Sequence, residues 1–473
     1  MALTGGYGYI VDTNKAVTGD AVDIVFSKIP GVNDADSLHE IVGGNTGDAY
    51  IKLTSDVTLA EALVLDSGRN VTIHLNGYTL TLADVDNYGV VVKNGTLTIE
   101  GQGSVIVPGY YGFGTSATTT TGHIVINGGT FIGTNADYMF ACYNGSITIN
   151  GGIFTSNYCV LNNFSDYGTN VSMTGVATVN GGDFTVIGTD EEYPSCIFLG
   201  DVNVKGNATY RVRSEDDLAM AMSNGGRVIL LADIVLENSL TVPASKTVVL
   251  ELNGHNIEHT SDVAGTSQLI NNYGELTILG EGNINYHANN PDTNSIPSYA
   301  SNAITNRGRL TIAEGVTVQN TSSGKASYAV DNDGYFHLNG GSVIALGTAV
   351  RVCIFNSTAA EVVIDSGLIE GNEGLRIQLT GSNSSVAPNV KVTVNGGTLI
   401  STNENGFAMT TYSFGNSYSN TYVTINGGEF YGWVTVGTGN SDLVNVTVSG
   451  GYFDHYGVYD YIIDDYYSPY DVE

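Results

Sequence analysis

The sequence predicts an all-β protein, a parallel β-solenoid in two tandem copies that each open with a short capping helix. Stretches like "VTINGGEF" (423–430) recur along most of the chain, and apolar residues alternate within them. The Asn-Gly-Gly or equivalent positions begin at 127, 150 and 180, and again at 339, 365, 395, 426 and 449, which are 23 to 31 residues apart within each run. A coil of roughly 22 to 25 residues with loops of variable length fits this spacing, whereas a helical period is missing.

The repeated stretch has the pattern of a strand that is buried on one side. In "SITINGGIF" (146–154), Ile147 and Ile149 fall on one face and Thr148 on the other. The Asn-Gly-Gly that follows suits a sharp bend with positive φ, after which an apolar residue returns to the core. These returning residues are Phe131, Phe154, Phe184 and Phe430. In the same phase we expect Ile149, Ile425 and Val448 to point inward, and Thr148, Thr424 and Thr447 to point outward.

Each copy begins with a short amphipathic helix, near residues 36–43 and 214–223. The matching apolar positions have i, i+3, i+4 spacing and are Leu38, Ile41 and Val42 in the first copy and Leu218, Ala221 and Met222 in the second. Ser214, three residues before Asp217, predicts an N-terminal cap, and a glycine pair ends each helix. Such a helix covers the open end of the first coil, where a strand edge would otherwise be unpaired.

The repeat divides the chain into four segments. Residues 1–33 lack the coil pattern and are expected to form an N-terminal attachment segment. The first β-helix copy is 34–208 and the second is 209–455, since "HLNGYTL" at 74 and "ELNGHNI" at 251 coincide in the two copies. Residues 456–473 form an acidic, tyrosine-rich C-terminal segment that is expected to cap the last coil.

Composition narrows the possible partners. The chain has 16 basic and 47 acidic residues, a net charge of −31, which disfavours nucleic acid. The N-terminus has no basic region followed by an apolar stretch, so no signal peptide is predicted, and the chain has no apolar run long enough to span a membrane. The four cysteines lack metal-ligand spacing and are expected to be small buried hydrophobes.

The repeat has a known counterpart. The capping helix, the V-x-L-x-x-D-I-x-L run from Val228 to Leu236, the "LNG" turn and the "TINGGEF"-type coils resemble the right-handed parallel β-helix proteins of the pectin-lyase-like superfamily, over residues 36 to 455. The resemblance implies a right-handed parallel β-helix. Members of that superfamily include polysaccharide lyases and hydrolases, bacterial surface proteins, and bacteriophage tailspikes and other virion appendages.

The catalytic signatures of the enzymes that the chain resembles are missing from the sequence. The lyases use Arg-x-x-Pro, and no arginine here has proline three residues later; of the hydrolase motifs only "RIQ" at 376 and "GHN" at 254 remain. "DNDG" at 331–334 begins like a calcium loop, but Ser342 stands at the twelfth position, so a turn is expected there. We therefore predict no catalytic residue, no metal site and no cofactor. Carboxylate pairs formed between stacked coils stay open as an alternative.

Two aromatic stretches are candidates for ligand binding. "PGYYGFG" (108–114) and "MTTYSFGNSYSNTY" (409–422) have the pattern of loop insertions between strands. Because aromatic rings stack on sugar rings, the predicted glycan-binding residues are Tyr110, Tyr111, Tyr412, Phe414 and Tyr418. Packing of each loop on its own coil is the alternative. Trp433 is expected to be buried.

The main functional hypothesis is a structural bacteriophage appendage located in the virion: a head fibre, a decoration protein or a tailspike-like protein. It would attach to other virion proteins through residues 1–33, bind host-surface polysaccharide and assemble as a homotrimer, without nucleic-acid or membrane partners. One alternative is a polysaccharide lyase or glycoside hydrolase on the same scaffold. Another is an adhesin that is extracellular or on the surface of a bacterium. The missing catalytic signatures favour a role without enzymatic activity.

Overall fold

The computed structural model describes residues 9–11, 26–28, 31–45, 47–164, 172–188, 195–261, 268–288, 301–322, 327–353, 359–379, 389–413, 420–436 and 444–455. Strands make up 62% of these residues and helices 5%. In each of the two units described below, the sheets form a parallel β-solenoid, which confirms the predicted fold class. The chain divides into two compact units, Met1–Arg211 (unit 1) and Val212–Glu473 (unit 2).

A typical coil has three strands that pair in parallel with the same strands of the neighbouring coils. The first and second strands flank the Asn-Gly-Gly bend, and the third lies in a separate sheet. Ile149, for example, pairs with Ile126 of the preceding coil and Val179 of the next. Because neighbouring strands are about 4.8 Å apart, like side chains form columns along each face.

The strands of unit 1 follow this order. The first strands are Ala49–Leu53, Asn70–His74, Asn94–Glu100, Thr121–Ile126 and Ser146–Ile149. The second strands are Val57–Thr58, Thr79–Thr81, Ser104–Ile106, Thr130–Gly133 and Ile153–Ser156. First and second strands are continuous in Val176–Val186 and Val202–Val212. The third strands are Leu63–Leu65, Val90–Val92, Tyr111–Thr115, Tyr138–Cys142, Cys159–Asn163 and Cys196–Gly200.

Three short strands precede these coils. Tyr9–Val11 and Phe26–Lys28 pair with each other in the antiparallel sense. Gly31–Val32 pairs in parallel with Ala49–Leu53. The end of the 1–33 segment therefore already contributes to the first coil.

Unit 2 repeats the order. The first strands are Gly226–Leu230, Thr247–Glu251, Glu275–Leu279, Arg309–Ala313, Asn389–Val394, Asn420–Ile425 and Val444–Val448. The second strands are Ile234–Val235, Ile257–Ser261, Gly282–Ala288, Val316–Asn320, Thr398–Ser401, Glu429–Tyr431 and Tyr452–Phe453. First and second strands are continuous in Tyr335–Ala345 and Ala359–Gly371. The third strands are Leu240–Val242, Gln268–Asn272, Ser301–Asn306, Ser327–Asn332, Thr348–Cys353, Glu373–Leu379, Phe407–Ser413 and Trp433–Thr435.

Both predicted capping helices are present, α1 at Ala35–Gly43 and α2 at Glu215–Asn224. The predicted cap of α2 is confirmed, because the backbone N–H of Asp217 donates to Ser214 Oγ at 3.2 Å. Each helix packs against the earliest third strand of its own unit, Leu63–Leu65 or Leu240–Val242. Within the described part of the chain, no helix is long and apolar enough to cross a membrane.

The predicted orientation of the strands is confirmed. The inward residues Ile149, Ile425 and Val448 are buried, and the outward threonines 148, 424 and 447 are partly or fully exposed. The returning aromatic residues form a stack in the core of unit 1, in which the Phe154 ring lies 5.1 Å from that of Phe131 and 5.0 Å from that of Phe184. One residue per coil thus builds a continuous aromatic column.

The residue types of the Asn-Gly-Gly repeat follow from the contacts that each bend makes with the bends of neighbouring coils. The Asn150 side chain donates from Nδ2 to Asn127 Oδ1 at 2.8 Å and accepts from Asn180 Nδ2 at 2.7 Å. Gly152, the second glycine of this copy, has a φ of 126°, and a Cβ there would lie 2.9 Å from the Phe154 ring. Asparagine therefore links successive coils, while glycine leaves room for the returning aromatic ring.

A second asparagine ladder is buried in unit 2, at the ends of three third strands. Asn272 Nδ2 donates to Asn306 Oδ1, and Asn306 Nδ2 donates to Asn332 Oδ1, both at 2.7 Å. All three side chains are fully buried. Asn306 Nδ2 also donates to the carbonyl oxygen of Tyr335 at 2.7 Å, which fixes the corner where the chain enters the next coil.

Candidate functional site

Two of the five predicted glycan-binding residues have side chains in the described part of the chain. Tyr110 is 62% exposed, and Tyr111 is half-buried at the start of the strand Tyr111–Thr115. The predicted loop insertion is wrong from residue 111 onward, because this stretch is the third strand of its coil. Tyr412 lies within the strand Phe407–Ser413, where its backbone pairs with Gln378. Phe414 and Tyr418 lie outside the described residues.

Tyr111 belongs to an aromatic group of unit 1 that we call the tyrosine cluster. Its members are Tyr88, Tyr111, Tyr138, Tyr143, Tyr158 and Phe164. In the strand Tyr138–Cys142, the Phe140 ring contacts Phe131 in the core, whereas the next residue, Ala141, packs with Tyr88 and Tyr143. Since successive side chains of a strand point to opposite faces, Ala141 and the two tyrosines packed on it lie on the outer face of the third sheet. Tyr111 and Tyr138 join this group through ring contacts at the start of their strands, with Tyr88 and Phe164 respectively.

The rings of the cluster form a continuous surface. Tyr111 and Tyr138 are paired across neighbouring coils, and their rings are nearly parallel, with an interplanar angle of 13° and centroids 6.1 Å apart. The Tyr88 ring lies 5.3 Å from Tyr111, and Phe164 lies 5.5 Å from Tyr138 and 4.5 Å from Tyr143. These separations are typical of attractive aromatic pairs. Tyr111, Tyr138, Tyr158 and Phe164 are half-buried, so part of each ring meets solvent.

Gly114 and the hydrogen-bonded pair of Tyr88 and Tyr143 stabilise the buried side of the cluster. A Cβ on Gly114 would lie 2.8 Å from the Tyr88 ring, so the ring packs over this strand only because residue 114 has no side chain. The Tyr88 and Tyr143 hydroxyl groups are hydrogen-bonded at 2.7 Å. Burial raises the pKa of Tyr88, and the hydrogen bond to Tyr143 raises it further, so the Tyr88 hydroxyl stays protonated.

One acidic residue, Asp137, directly precedes Tyr138 of the cluster. The backbone N–H groups of Asp137 and Tyr138 both donate to the carbonyl oxygen of Tyr110, at 2.8 and 3.2 Å, which joins the exposed tyrosine to the next coil. Burial raises the pKa of Asp137. The pKa of Tyr138 is raised to about 12, first by burial and then by neighbours that include Tyr158 and Asp137.

In unit 2 the corresponding third sheet carries charged residues instead, which we call the arginine cluster: Tyr328, Asp331, Arg351, Glu373 and Arg376. The Arg351 guanidinium donates to both oxygens of Asp331, at 2.7 and 2.6 Å, and lies 4.1 Å from the centroid of the Tyr328 ring. Burial alone would lower the pKa of Arg351, but the Asp331 carboxylate raises it. The ion pair is thus charged and nearly closed to solvent.

Arg376 completes this cluster by donating from Nε to Glu373 at 2.5 Å. Both carboxylates of the cluster therefore have an arginine partner. The "DNDG" stretch was predicted to be a turn, and this holds only for residues 333–334, because Asp331 and Asn332 end the strand Ser327–Asn332.

A smaller aromatic surface lies at the last coils of unit 2, and the sequence did not predict it. Tyr431 and Tyr452 are 37% and 38% exposed, and their ring centroids are 5.7 Å apart. Trp433 is half-buried against His455 at 5.0 Å, so its predicted burial is wrong; Val434 takes the inward position of that strand. Alternation was an available signal, since Tyr431 directly follows the inward Phe430.

The cysteines and the potential metal ligands are the remaining candidates from the sequence. No disulfide bond joins the four cysteines; Cys142, Cys159 and Cys353 are buried as expected, and Cys196 is half-buried. The described residues include no group of three or more His, Cys, Asp or Glu side chains that could hold a metal ion. No family model, no curated protein and no solved structure matches this chain.

Proposed function

We propose that the chain is a structural appendage of a bacteriophage particle and that it binds a host-surface glycan through the tyrosine cluster. The observation that carries the proposal is the half-buried, nearly parallel pair of Tyr111 and Tyr138 next to the exposed Tyr110. Rings held in this way offer flat apolar faces and hydroxyl groups at a low entropic cost, which suits the C–H faces and hydroxyls of sugars.

The ion pairing of the carboxylates in the arginine cluster favours a binding role over an enzymatic one. Glycoside hydrolysis commonly uses one protonated carboxylic acid and one carboxylate. Asp331 and Glu373 are instead each held in an ion pair with an arginine.

The attachment to a particle is supported by the N-terminal segment and by charge. The antiparallel pair of Tyr9–Val11 and Phe26–Lys28 departs from the parallel pairing of the coils, as expected of a segment with a separate role. A net charge of −31 suits an exposed, self-repelling surface in a crowded assembly. Contact with other virion proteins through residues 1–33 and assembly as a homotrimer belong to the same proposal.

Binding of purified host-surface polysaccharide to the full chain tests the proposal. We expect the double substitution Tyr111→Ala, Tyr138→Ala to weaken binding by about tenfold or more, because two stacking contacts of roughly 0.5–1.5 kcal/mol each are lost. The matched control is Tyr431→Ala, which removes an exposed tyrosine in the other unit. Equal affinity of the double variant and the control would contradict the role of the cluster.

Two further measurements separate the alternatives. Deletion of residues 1–30, which keeps the strand Gly31–Val32 of the first coil, is expected to abolish incorporation into particles while leaving glycan binding intact. Depolymerisation of the polysaccharide by the purified protein would instead favour a lyase or hydrolase. Incorporation that survives the deletion would refute the attachment role of this segment, whereas absence of the full-length protein from particles would favour an adhesin.

A further inference from the structure

We infer that Cys159 and Cys196 form a dithiol site, which a small-molecule disulfide such as oxidised glutathione converts into a disulfide bond between two coils of unit 1. The inference does not depend on the proposed glycan binding. It follows from the register of two neighbouring third strands, from one contact of the Cys159 thiol, and from the position of the Cys196 strand at the edge of its sheet.

The first observation is the register of the two cysteines. Cys159 begins the strand Cys159–Asn163, Cys196 begins the strand Cys196–Gly200, and the two residues are direct partners in the parallel ladder. In-register residues of neighbouring parallel strands have side chains on the same side of the sheet and Cα atoms about 4.8 Å apart. Disulfide-bonded cysteines have Cα atoms roughly 4.4–6.8 Å apart. The backbone therefore already provides the Cα separation that a disulfide bond requires.

The second observation is the direction of the Cys159 side chain. Its Sγ donates to the carbonyl oxygen of Ile197, the residue that follows Cys196, at 3.9 Å. The thiol thus lies against the backbone of the strand that carries its partner. Because a thiol is a weak hydrogen-bond donor, little is lost when this contact gives way to a bond between the two sulfur atoms.

In the described strands, the other two cysteines have no cysteine as an in-register partner. Cys142 is paired with Asn163, and Cys353 is paired with Gln378. Burial raises the pKa of the Cys142 thiol to about 11, which reduces the fraction of reactive thiolate at neutral pH. A disulfide reagent is therefore expected to select the pair of Cys159 and Cys196.

The exchange takes two steps. The thiolate of the half-buried Cys196 first attacks one sulfur of oxidised glutathione, which breaks the S–S bond, releases one glutathione thiolate and leaves Cys196 in a mixed disulfide. Cys159 then loses its proton and attacks Cys196 Sγ, which releases the second glutathione thiolate. The two cysteines together lose two electrons, one glutathione disulfide is reduced to two thiols, and the two cysteine protons pass through solvent to these thiols.

The bond would fasten an edge strand to its sheet. Cys196–Gly200 is the last strand of the six-stranded third sheet of unit 1, and among the described residues it pairs only with Cys159–Asn163. A strand with one neighbour opens locally at a lower free-energy cost than a central strand. The bond would also close the stretch 160–195 into a loop, which restricts the unfolded chain. Oxidation is therefore expected to stabilise unit 1.

Peptide mapping of the full chain tests the inference. The reduced protein is incubated with oxidised glutathione at neutral pH, its remaining thiols are alkylated, and it is digested without a reducing agent for mass spectrometry. We expect one cross-link within the chain, between the peptides that contain Cys159 and Cys196, and alkylated thiols at Cys142 and Cys353. The melting temperature should rise by about 5–10 °C and return to its starting value after reduction.

Three variants separate the steps of the reaction. Cys159→Ala should leave Cys196 in its mixed disulfide with glutathione, because no second thiol displaces the glutathione. Cys196→Ala should leave Cys159 as an unmodified thiol. The matched control is Cys353→Ala, which also removes a buried thiol and should keep both the cross-link and the rise in melting temperature.

Other outcomes would overturn the inference. Glutathione that stays on Cys196 of the unmodified protein, or a cross-link that includes Cys142 or Cys353, would contradict the pairing. A Cys196 thiol that does not react with oxidised glutathione would contradict the first step. A cross-link that forms but leaves the melting temperature unchanged, or lowers it, would contradict the stabilisation of the edge strand.

Discussion

Substitution of Asn306 by alanine interrupts the buried asparagine ladder at its centre. The Asn306 side chain accepts from Asn272 and donates to Asn332 and to the Tyr335 carbonyl, each at 2.7 Å. Each lost bond costs about 1 kcal/mol, and each partner left short of a bond in the interior adds up to a few more. Asn272 Nδ2 keeps its bond to the Arg309 carbonyl. We therefore expect the substitution to lower the free energy of unfolding by about 3–5 kcal/mol.

The exposed ladder of the same unit provides the matched control. Asn426 donates from Nδ2 to Asn395 Oδ1 at 2.8 Å and accepts from Ser449 Oγ at 3.0 Å, which is nearly the same geometry. Its side chain is exposed, so water replaces both bonds after substitution. Asn426→Ala should therefore cost less than about 1 kcal/mol.

Equilibrium urea denaturation, followed by far-UV circular dichroism, measures both variants. Both residues belong to unit 2, so the same transition reports on them. We expect the urea midpoint of Asn306→Ala to be clearly lower than that of the unmodified protein, and the midpoint of Asn426→Ala to be almost unchanged. The dependence of the free energy of unfolding on urea concentration should be similar in both variants. Hydrogen exchange at Tyr335 and its neighbours should accelerate in the first variant only. Equal midpoint shifts would refute the claim that burial, and not ladder geometry, sets the stabilisation.

Three other substitutions test the packing. Ile425→Asp buries a charge without a partner and should cost about 4 kcal/mol or more, whereas Thr424→Asp should stay within roughly 1 kcal/mol; equal denaturation midpoints would mean that the strand register is wrong. Phe154→Ala, in the middle of the core stack, should cost about 3–5 kcal/mol and lower the melting temperature, and a loss below about 1 kcal/mol would contradict the packing described. Arg351→Met should cost about 3–5 kcal/mol because Asp331 is left charged and buried; the double substitution with Asp331→Leu should recover much of this, and a double variant less stable than either single one would count against a buried ion pair.

Much of each coil could be predicted from single stretches of sequence. The alternation in "SITINGGIF" correctly separates Ile149 from Thr148, and the spacing of Ser214 and Asp217 correctly predicts the start of α2. Both predictions depend on residues a few positions apart, whose relation is set by the strand or helix itself. The loop prediction at 108–114 failed because a third strand that begins Tyr-Gly-Phe-Gly looks like a turn when its neighbouring coil is not considered.

The sequence by itself determined which side chains point into the core, since a period of two along a strand and a cap on a helix are local properties. Only the tertiary structure decided which outward side chains meet. Tyr88 reaches Tyr143 across 55 residues, and Arg351 reaches Asp331 across 20. The chain length between contacting coils varies, so the partner of an outward residue depends on how the coils stack and where each bend falls. The tyrosine cluster and the arginine cluster both depend on that register. The candidate site therefore could not be predicted from single stretches of sequence.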